Sequence, residues 1–150
     1  MAEAAVKPIL LVEDDPNDQL LIRRAFTRAK LANPLRLVAD GDAAVDYLSG
    51  RGAFADRSAN PVPALVLLDL KLPRRSGLEV LQWLRAQPQG LARTPVVVLT
   101  SSRESADVNR AYDLGANSFL VKPVETEALQ DLIRSAGLYW TVLNEGPDAP

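Results

Sequence analysis

Residues 64–73 read ALVLLDLKLP, a short aliphatic run that ends directly in a carboxylate, Asp69. Consecutive aliphatic residues without alternation are typical of a strand that is covered on both faces of a parallel sheet. A carboxylate next to such a strand is costly to desolvate unless a cation or a hydrogen-bond donor accompanies it. The stretch therefore predicts a central strand over residues 64–68 and a charged site at its carboxyl end.

Four other runs repeat this pattern along the chain. Residues 9–12, 96–99 and 119–121 are apolar as well, and the mixed run 35–38 is typical of an edge strand. Segments with apolar residues at helical spacing lie between and after these runs. Strands that alternate with helices predict an α/β domain built on a doubly wound parallel sheet.

The helical segments and the domain boundary can be placed approximately. Pro16 is a favourable first-turn residue, and Asp15 before it is an expected N-cap. The other helices are expected near residues 42–48, 78–84, 104–114 and 129–136. Because five strands and five helices occupy the chain up to about residue 138, we expect one domain over residues 1–138 and a tail over residues 139–150.

Composition excludes several classes of function. The 17 basic residues against 19 acidic ones exclude a strongly basic nucleic-acid binder. The chain has no His and no Cys, which excludes Ser-His-Asp catalysis, His or thiolate metal sites and disulfides. No apolar stretch approaches the roughly 20 residues of a membrane helix. We therefore expect a cytoplasmic protein without nucleic-acid or membrane partners, whose chemistry uses carboxylates, hydroxyls and ammonium groups.

Polar side chains follow the predicted strands where each one ends. Glu13 and Asp14 follow the first strand, Asp69 the third, Thr100 the fourth and Lys122 the fifth. In an open parallel sheet, ligands bind outside the carboxyl ends of the strands, so these groups are expected in one crevice. Crowded carboxylates repel one another unless a cation sits among them, and oxygen ligands suit Mg²⁺. A carboxylate can also act as a nucleophile, so the pattern predicts magnesium-dependent phosphoryl transfer onto an aspartate.

Four motifs together resemble the receiver domain of bacterial two-component response regulators. They are LVEDD at 11–15, LLDLKLP at 67–73 with Gly77, LTS at 99–101 and FLVKP at 119–123. The resemblance implies a flavodoxin-like fold, with a five-stranded parallel sheet of order 2-1-3-4-5 and five helices in three layers. A narrower similarity to single-domain regulators that pair with bacterial phytochrome kinases rests on residues 13–18, the loop 49–63, residues 70–73 and the pair at 139–140.

The resemblance implies a metal site and an acceptor at matching positions. Asp69 would be the phosphoacceptor. Mg²⁺ would be bound by Asp14, by Glu13 directly or through water, by Asp69 and by the backbone carbonyl of Lys71.

The resemblance also implies residues that report phosphorylation. Thr100 and Lys122 would hold the phosphoryl group and couple it to a conformational change. Phe119 occupies the position of an aromatic switch residue, and it lacks the hydroxyl that a tyrosine would bring. The bond between Lys122 and Pro123 is expected to be cis.

The function expected from this resemblance is signalling rather than metabolic catalysis. A sensor histidine kinase, of phytochrome type in the narrower reading, would phosphorylate Asp69, and the protein would catalyse only its own phosphorylation and dephosphorylation. A homodimer and a phosphotransfer protein are further expected partners. One alternative is an aspartyl-nucleophile phosphohydrolase, although that chemistry normally has a second acid where this chain has Lys71. A second alternative is a protein-binding module that works without phosphate.

The end of the chain allows two interpretations. Ala136, Tyr139, Trp140 and Leu143 continue the apolar stripe of the last predicted helix. These residues either pack back on the domain or form part of a surface that faces a second copy or a kinase. Aromatic residues are enriched at such surfaces.

Overall fold

The computed structural model describes residues 6–140 and contains a five-stranded parallel sheet of order β2-β1-β3-β4-β5. The strands are β1 (Ile9–Val12), β2 (Leu35–Val38), β3 (Leu65–Leu68), β4 (Val96–Thr100) and β5 (Ser118–Val121). The helices are α1 (Pro16–Ala29), α2 (Gly41–Ser49), α3 (Gly77–Arg85), α4 (Ser105–Asp113) and α5 (Thr126–Leu138). The structure confirms the predicted α/β fold and the strand order.

The two faces of the sheet bury separate apolar clusters. Strand residues such as Leu10 and Val66 contact a cluster with side chains of α2, α3 and α4, and Trp83 of α3 packs against it. Their neighbours Ile9 and Leu65 belong to a second cluster with side chains of α1 and α5. Because both faces are covered, the strands need no polar alternation, which explains their aliphatic sequence. The molecule therefore has the three layers that were expected.

Helix α1 begins as the sequence predicts. The side chain of Asp15 accepts hydrogen bonds from the backbone N–H groups of Asn17 at 2.8 Å and of Asp18 at 3.4 Å. This cap satisfies N–H groups that have no partner within the helix, and it fixes the direction in which α1 leaves the sheet. Asp18 consequently lies in the first turn, directly beside the carboxyl end of β1.

The long connection between α2 and β3 is held by one arginine. The guanidinium of Arg57 donates to the carbonyl oxygens of Tyr47 at 2.7 Å, Leu48 at 2.5 Å and Asn60 at 2.9 Å. The hydroxyl of Tyr47 donates to the carbonyl oxygen of Pro61 at 3.0 Å. Arg57 thus ties the carbonyl end of α2 to the connection that follows it, which orders a loop longer than most connections of this kind.

The described part of the tail packs on the domain. Trp140 is partly buried against the cluster between the sheet, α1 and α5. Tyr139 is half exposed and meets Trp140 edge to face, with ring centroids 5.2 Å apart. For Trp140 the structure thus agrees with packing back on the domain, whereas Leu143 lies outside the described residues.

Two further observations concern the backbone. Residues 6–140 contain no cis peptide bond, so the expectation of a cis bond between Lys122 and Pro123 is wrong for this structure. The trans form is the lower-energy isomer of an X–Pro bond. None of the helices between residues 6 and 140 combines the length and the apolar character that crossing a membrane requires.

Candidate functional site

The parallel register brings the ends of the strands together. Val12 of β1 lies beside Leu68 of β3, so the next residues, Glu13 and Asp69, leave the sheet side by side. The backbone N–H of Asp69 donates to the carbonyl oxygen of Val12 at 3.1 Å, which extends the ladder by one residue. On the other side, the N–H of Lys122 donates to the carbonyl oxygen of Thr100 at 2.8 Å. Residues far apart in sequence therefore meet at one edge of the sheet.

The ammonium group of Lys122 is the centre of the site. It donates to a carboxylate oxygen of Glu13, to Asp18 Oδ2 at 2.9 Å and to Asp69 Oδ2 at 3.1 Å. Only 6% of the Lys122 side chain is exposed, and Glu13 and Asp69 are buried as well. An ammonium has three N–H donors, and here three carboxylates accept them. Charges are buried at tolerable cost only when they are paired in this way.

Three carboxylates of the site can share a cation. Oxygen atoms of Glu13, Asp14 and Asp69 all lie within 4.8 Å of one another. Asp14 is exposed to solvent, so an ion could enter from that side. A set of oxygen donors without His or Cys fits a hard divalent cation. The backbone N–H of Lys71 donates to Asp69 Oδ1 at 3.4 Å, which places the backbone of residue 71 beside the same carboxylate.

The electrostatics of the site show a shortage of positive charge. Burial raises the pKa of Glu13 to about 7, although the hydrogen bond and the charge of Lys122 oppose this rise. Burial also disfavours the charged form of Lys122, but hydrogen bonds to Glu13 and Asp18 outweigh it and hold the pKa of Lys122 above its ordinary value. The lysine therefore stays charged, and it is surrounded by more carboxylates than it can neutralise. A divalent cation among Glu13, Asp14 and Asp69 would offset most of this excess of negative charge.

Thr100 ends β4 at the same edge and is connected to α4. Its hydroxyl oxygen accepts the backbone N–H of Ser102 at 3.4 Å, and the Ser102 hydroxyl donates to Asp107 of α4. Thr100 and Ser102 are buried. Phe119 of β5 is partly buried against the cluster that lies under α2, α3 and α4. A movement of Thr100 would thus change the contacts of Ser102 and Asp107 at the start of α4.

The loop after Asp69 depends on a glycine. A Cβ atom at Gly77 would lie 2.1 Å from the carbonyl oxygen of Asp69, and the N–H of Gly77 donates to the carbonyl oxygen of Leu70 at 2.9 Å. The first turn of α3 therefore packs directly on the backbone of the acid. Gly77, which the sequence analysis named only with the motif at 67–73, is the first residue of α3 and is required for this close approach.

Asp18 is a residue of the site that the sequence analysis did not single out. An acid early in a helix is ordinarily explained by its favourable interaction with the helix dipole. The structure instead directs its carboxylate to Lys122, 104 residues further along the chain. The signal that could have revealed this contact is an acid in the first turn of a helix that directly follows the central strand β1.

A five-stranded parallel sheet of this order, with acids gathered around one buried lysine, is the arrangement of a receiver domain of a signalling protein. The chain belongs to the response regulator receiver domain family, whose family model matches residues 9–134. Receiver domains work in two-component signalling with histidine kinases.

Two curated relatives align with most of the chain. The probable methanogenesis regulatory protein FilR2 of Methanothrix harundinacea is 39% identical over 139 residues, which cover 93% of this chain and 86% of FilR2. The response regulator Rcp1 of Synechocystis is 36% identical over 134 residues, which cover 89% of this chain and 88% of Rcp1.

Solved structures point to regulators named for phytochromes. The phosphorylated cyanobacterial phytochrome response regulator RcpA gives a TM-score of 0.88 at 34% identity, covering 96% of this chain and 100% of RcpA. The Mn²⁺-bound form of Rcp1 gives a TM-score of 0.85 at 34% identity, covering 95% of this chain and 99% of the Rcp1 chain. The bacteriophytochrome response regulator RtBRR gives 0.75 at 50% identity, covering 95% of this chain and 85% of RtBRR. The narrower resemblance seen in the sequence is thereby confirmed.

Proposed function

We propose that this protein is a response regulator that accepts a phosphoryl group on Asp69 from a sensor histidine kinase in a Mg²⁺-dependent reaction. The observation that carries the proposal is the position of the Asp69 carboxylate. It lies 3.1 Å from the buried ammonium of Lys122 and shares a potential cation site with Glu13 and Asp14. No metabolic substrate is required, because the protein would catalyse only its own phosphorylation and dephosphorylation.

The reaction uses the carboxylate as nucleophile. One oxygen of Asp69 attacks the phosphorus of the phosphohistidine of the kinase. The P–N bond breaks, its electron pair leaves with the imidazole, and an acyl phosphate forms on Asp69. Hydrolysis reverses the state of the protein: water attacks the phosphorus, the P–O bond to Asp69 breaks, and inorganic phosphate leaves.

The residues around Asp69 favour this transfer. Glu13, Asp14, Asp69 and the backbone carbonyl of Lys71 would hold the Mg²⁺ ion. When bound, Mg²⁺ supplies positive charge that offsets the charge on the phosphoryl oxygens. Lys122 donates hydrogen bonds to Glu13 and Asp69, two of the same carboxylates. Manganese bound to Rcp1 is compatible with a divalent cation at this site.

Signalling would follow from Thr100. We propose that its hydroxyl donates to a phosphoryl oxygen and that Ser102 and Asp107 transmit the movement to α4. Phe119 would adjust its packing without a hydroxyl of its own. Phosphorylation then shifts a population between two arrangements of β4, α4 and β5.

The partners are inferred from the relatives and from the surface. The similarity to RcpA and RtBRR favours a kinase of phytochrome type. A cytoplasmic location, expected from the sequence, is part of this proposal. The signal would pass on through protein contacts, with a phosphotransfer protein or a second copy of the chain as the receiver. Tyr139, half exposed beside the exposed Leu138, supports a homodimer surface at the end of α5.

The experiment that tests the proposal is intact-protein mass spectrometry after incubation with acetyl phosphate and Mg²⁺. The expected result is the addition of one phosphoryl group, which disappears without Mg²⁺ and in the Asp69→Asn variant. The amide is a poor nucleophile of nearly the same size, so folding is preserved. Stable labelling of Asp69→Asn would overturn the assignment of the acceptor.

Phosphoryl transfer from a kinase is the second experiment. A protein that takes no phosphoryl group either from acetyl phosphate or from a phosphorylated phytochrome-type kinase is no phosphoacceptor. Binding of beryllofluoride in the presence of Mg²⁺ would then be measured, and its absence would favour the phosphate-independent binding module.

A further inference from the structure

We propose that Asp18 is a positioning residue for Lys122. Its carboxylate accepts a hydrogen bond from the ammonium group and so competes for this donor with a phosphoryl group on Asp69. The inference deepens the proposed function and rests on it. Asp18 Oδ2 lies 2.9 Å from the ammonium nitrogen, closer than Asp69 Oδ2 at 3.1 Å. Asp18 belongs to none of the groups assigned to the metal or to the acceptor, so its contact with the lysine needs its own account.

The ammonium group of Lys122 has no N–H donor to spare. Lys122 has three N–H groups, and Glu13, Asp18 and Asp69 occupy all of them. A phosphoryl group on Asp69 brings additional acceptor oxygens to the same ammonium. Lys122 can donate to them fully only if it gives up one of its present partners.

Asp18 is the partner that is easiest to release. Its side chain is 22% exposed, whereas the side chain of Glu13 is 1% exposed, so water can solvate Asp18 after the bond is broken. Asp18 also lies on α1, whereas Glu13 and Asp69 directly follow the central strands β1 and β3. The next residue of α1, Gln19, donates from its side chain to the backbone oxygen of Glu13 at 2.6 Å. The first turn of α1 is thus anchored at the site while Asp18 itself stays accessible to solvent.

In the native chain, Lys122 should therefore bind a phosphoryl group on Asp69 more weakly than it would without the competing Asp18 carboxylate. Replacement of Asp18 by Asn keeps the size of the side chain and removes its charge. The neutral amide competes less well for the ammonium, so Lys122 becomes available to an anion on Asp69. The variant should therefore bind a phosphoryl mimic more tightly than the native protein.

The test is calorimetric titration with beryllofluoride at saturating Mg²⁺. We expect Asp18→Asn to bind about fivefold more tightly, an effect in the range of a partly exposed ion pair. Asp15→Ser is the matched control: it removes one negative charge from the same turn, keeps a good N-cap residue and has no contact with Lys122 in the described structure. We expect the control to change the affinity less than twofold. Equal gains in both variants would mean that only the net charge matters, which would overturn the proposal.

A spectroscopic measurement checks the lysine directly. The chain has four lysines, and Lys122 is buried whereas Lys7, Lys30 and Lys71 are exposed. Its ammonium protons should exchange slowly with water and give a resolved ¹H–¹⁵N signal. In Asp18→Asn the exchange should accelerate several-fold, while Asp15→Ser leaves it unchanged. An unchanged exchange rate in Asp18→Asn would contradict the contact itself.

The two proposals fail in different ways. If the native protein takes neither a phosphoryl group nor beryllofluoride, the phosphoacceptor function is wrong. If the native protein binds both, and Asp18→Asn binds beryllofluoride no more tightly, only the role of Asp18 is wrong. Asp18→Ser serves as a second variant if Asp18→Asn does not fold.

Discussion

Two cations, the partly buried Arg85 and the buried Lys122, lie at opposite ends of the sheet, and they have different kinds of partners. At the amino ends of β4 and β5, the guanidinium of Arg85 donates to backbone oxygens of Ala92, Thr94 and Gly115 and to the side chain of Asn117. At the carboxyl ends, Lys122 donates to three carboxylates. Arg85 connects loops through neutral dipoles, whereas Lys122 is surrounded by negative charge that exceeds its own.

Arg85 has a structural role, whereas we propose a chemical role for Lys122. Burial lowers the pKa of Arg85, since its neutral partners do not compensate the loss of water. The pKa of Lys122 is raised because acids surround it. An excess of carboxylates around a charge favours the uptake of a cation, as in the proposed function. The saturated, neutral surroundings of Arg85 offer no comparable chemistry.

The largest expected effect comes from removing the reactive cation. Lys122→Met should slow labelling by acetyl phosphate by about 100-fold, as for the loss of one donor to a developing charge. Labelling is measured by intact mass over time at saturating Mg²⁺. Lys7→Met, which removes an exposed lysine, serves as the control and should label at the native rate. If Lys122→Met were labelled at the native rate, Lys122 would have no greater role in the chemistry than Arg85.

Removal of Arg85 should affect stability instead of chemistry. Arg85→Leu leaves backbone oxygens of two loops without their donor, so we expect a loss of about 2 kcal/mol in the free energy of unfolding. Urea unfolding measures this loss, with Arg93→Leu at an exposed position as the control. The folded fraction of Arg85→Leu should still be labelled by acetyl phosphate. If labelling fell while stability was retained, Arg85 would belong to the functional part of the molecule.

A smaller effect is expected at the exposed acid of the site. Mg²⁺ should raise the unfolding free energy of the native protein by about 1 kcal/mol at concentrations several times its Kd. Asp14→Asn removes one ligand and should abolish most of this gain, without a loss of stability in the absence of metal because Asp14 is exposed. Thermal unfolding with and without Mg²⁺ measures both quantities. A full gain in Asp14→Asn would exclude Asp14 from the metal site.

The fold could be predicted from the sequence because its determinants are local. The apolar runs of β1, β3 and β4 are unambiguous, and the Asp15 cap and Pro16 mark the start of α1. Boundaries differ by a residue where caps decide them: Glu104, expected inside the fourth helix, is its N-cap. The order of strands required the family resemblance, since periodicity alone does not fix neighbours in a sheet.

The site was predictable in its acids and its lysine, because each follows a strand directly. Asp18, Arg57 and Arg85 were not, since their partners lie in distant segments of the chain and become neighbours only after folding. The isomer of the Lys122–Pro123 bond was taken from the family and differs in this structure. The long-range contacts of polar side chains are thus the part of the structure that sequence patterns did not predict.

The two tryptophans lie on opposite faces of the sheet, so their intrinsic fluorescence can follow the two faces separately. Trp83 packs on the cluster under α2, α3 and α4, and Trp140 packs on the cluster under α1 and α5. Each layer of helices therefore carries its own intrinsic fluorophore, and these are the only two tryptophans in the chain. With Trp83 replaced by Phe, the remaining emission comes from the side of the sheet that carries Asp18, and replacing Trp140 leaves emission from the side that carries α4.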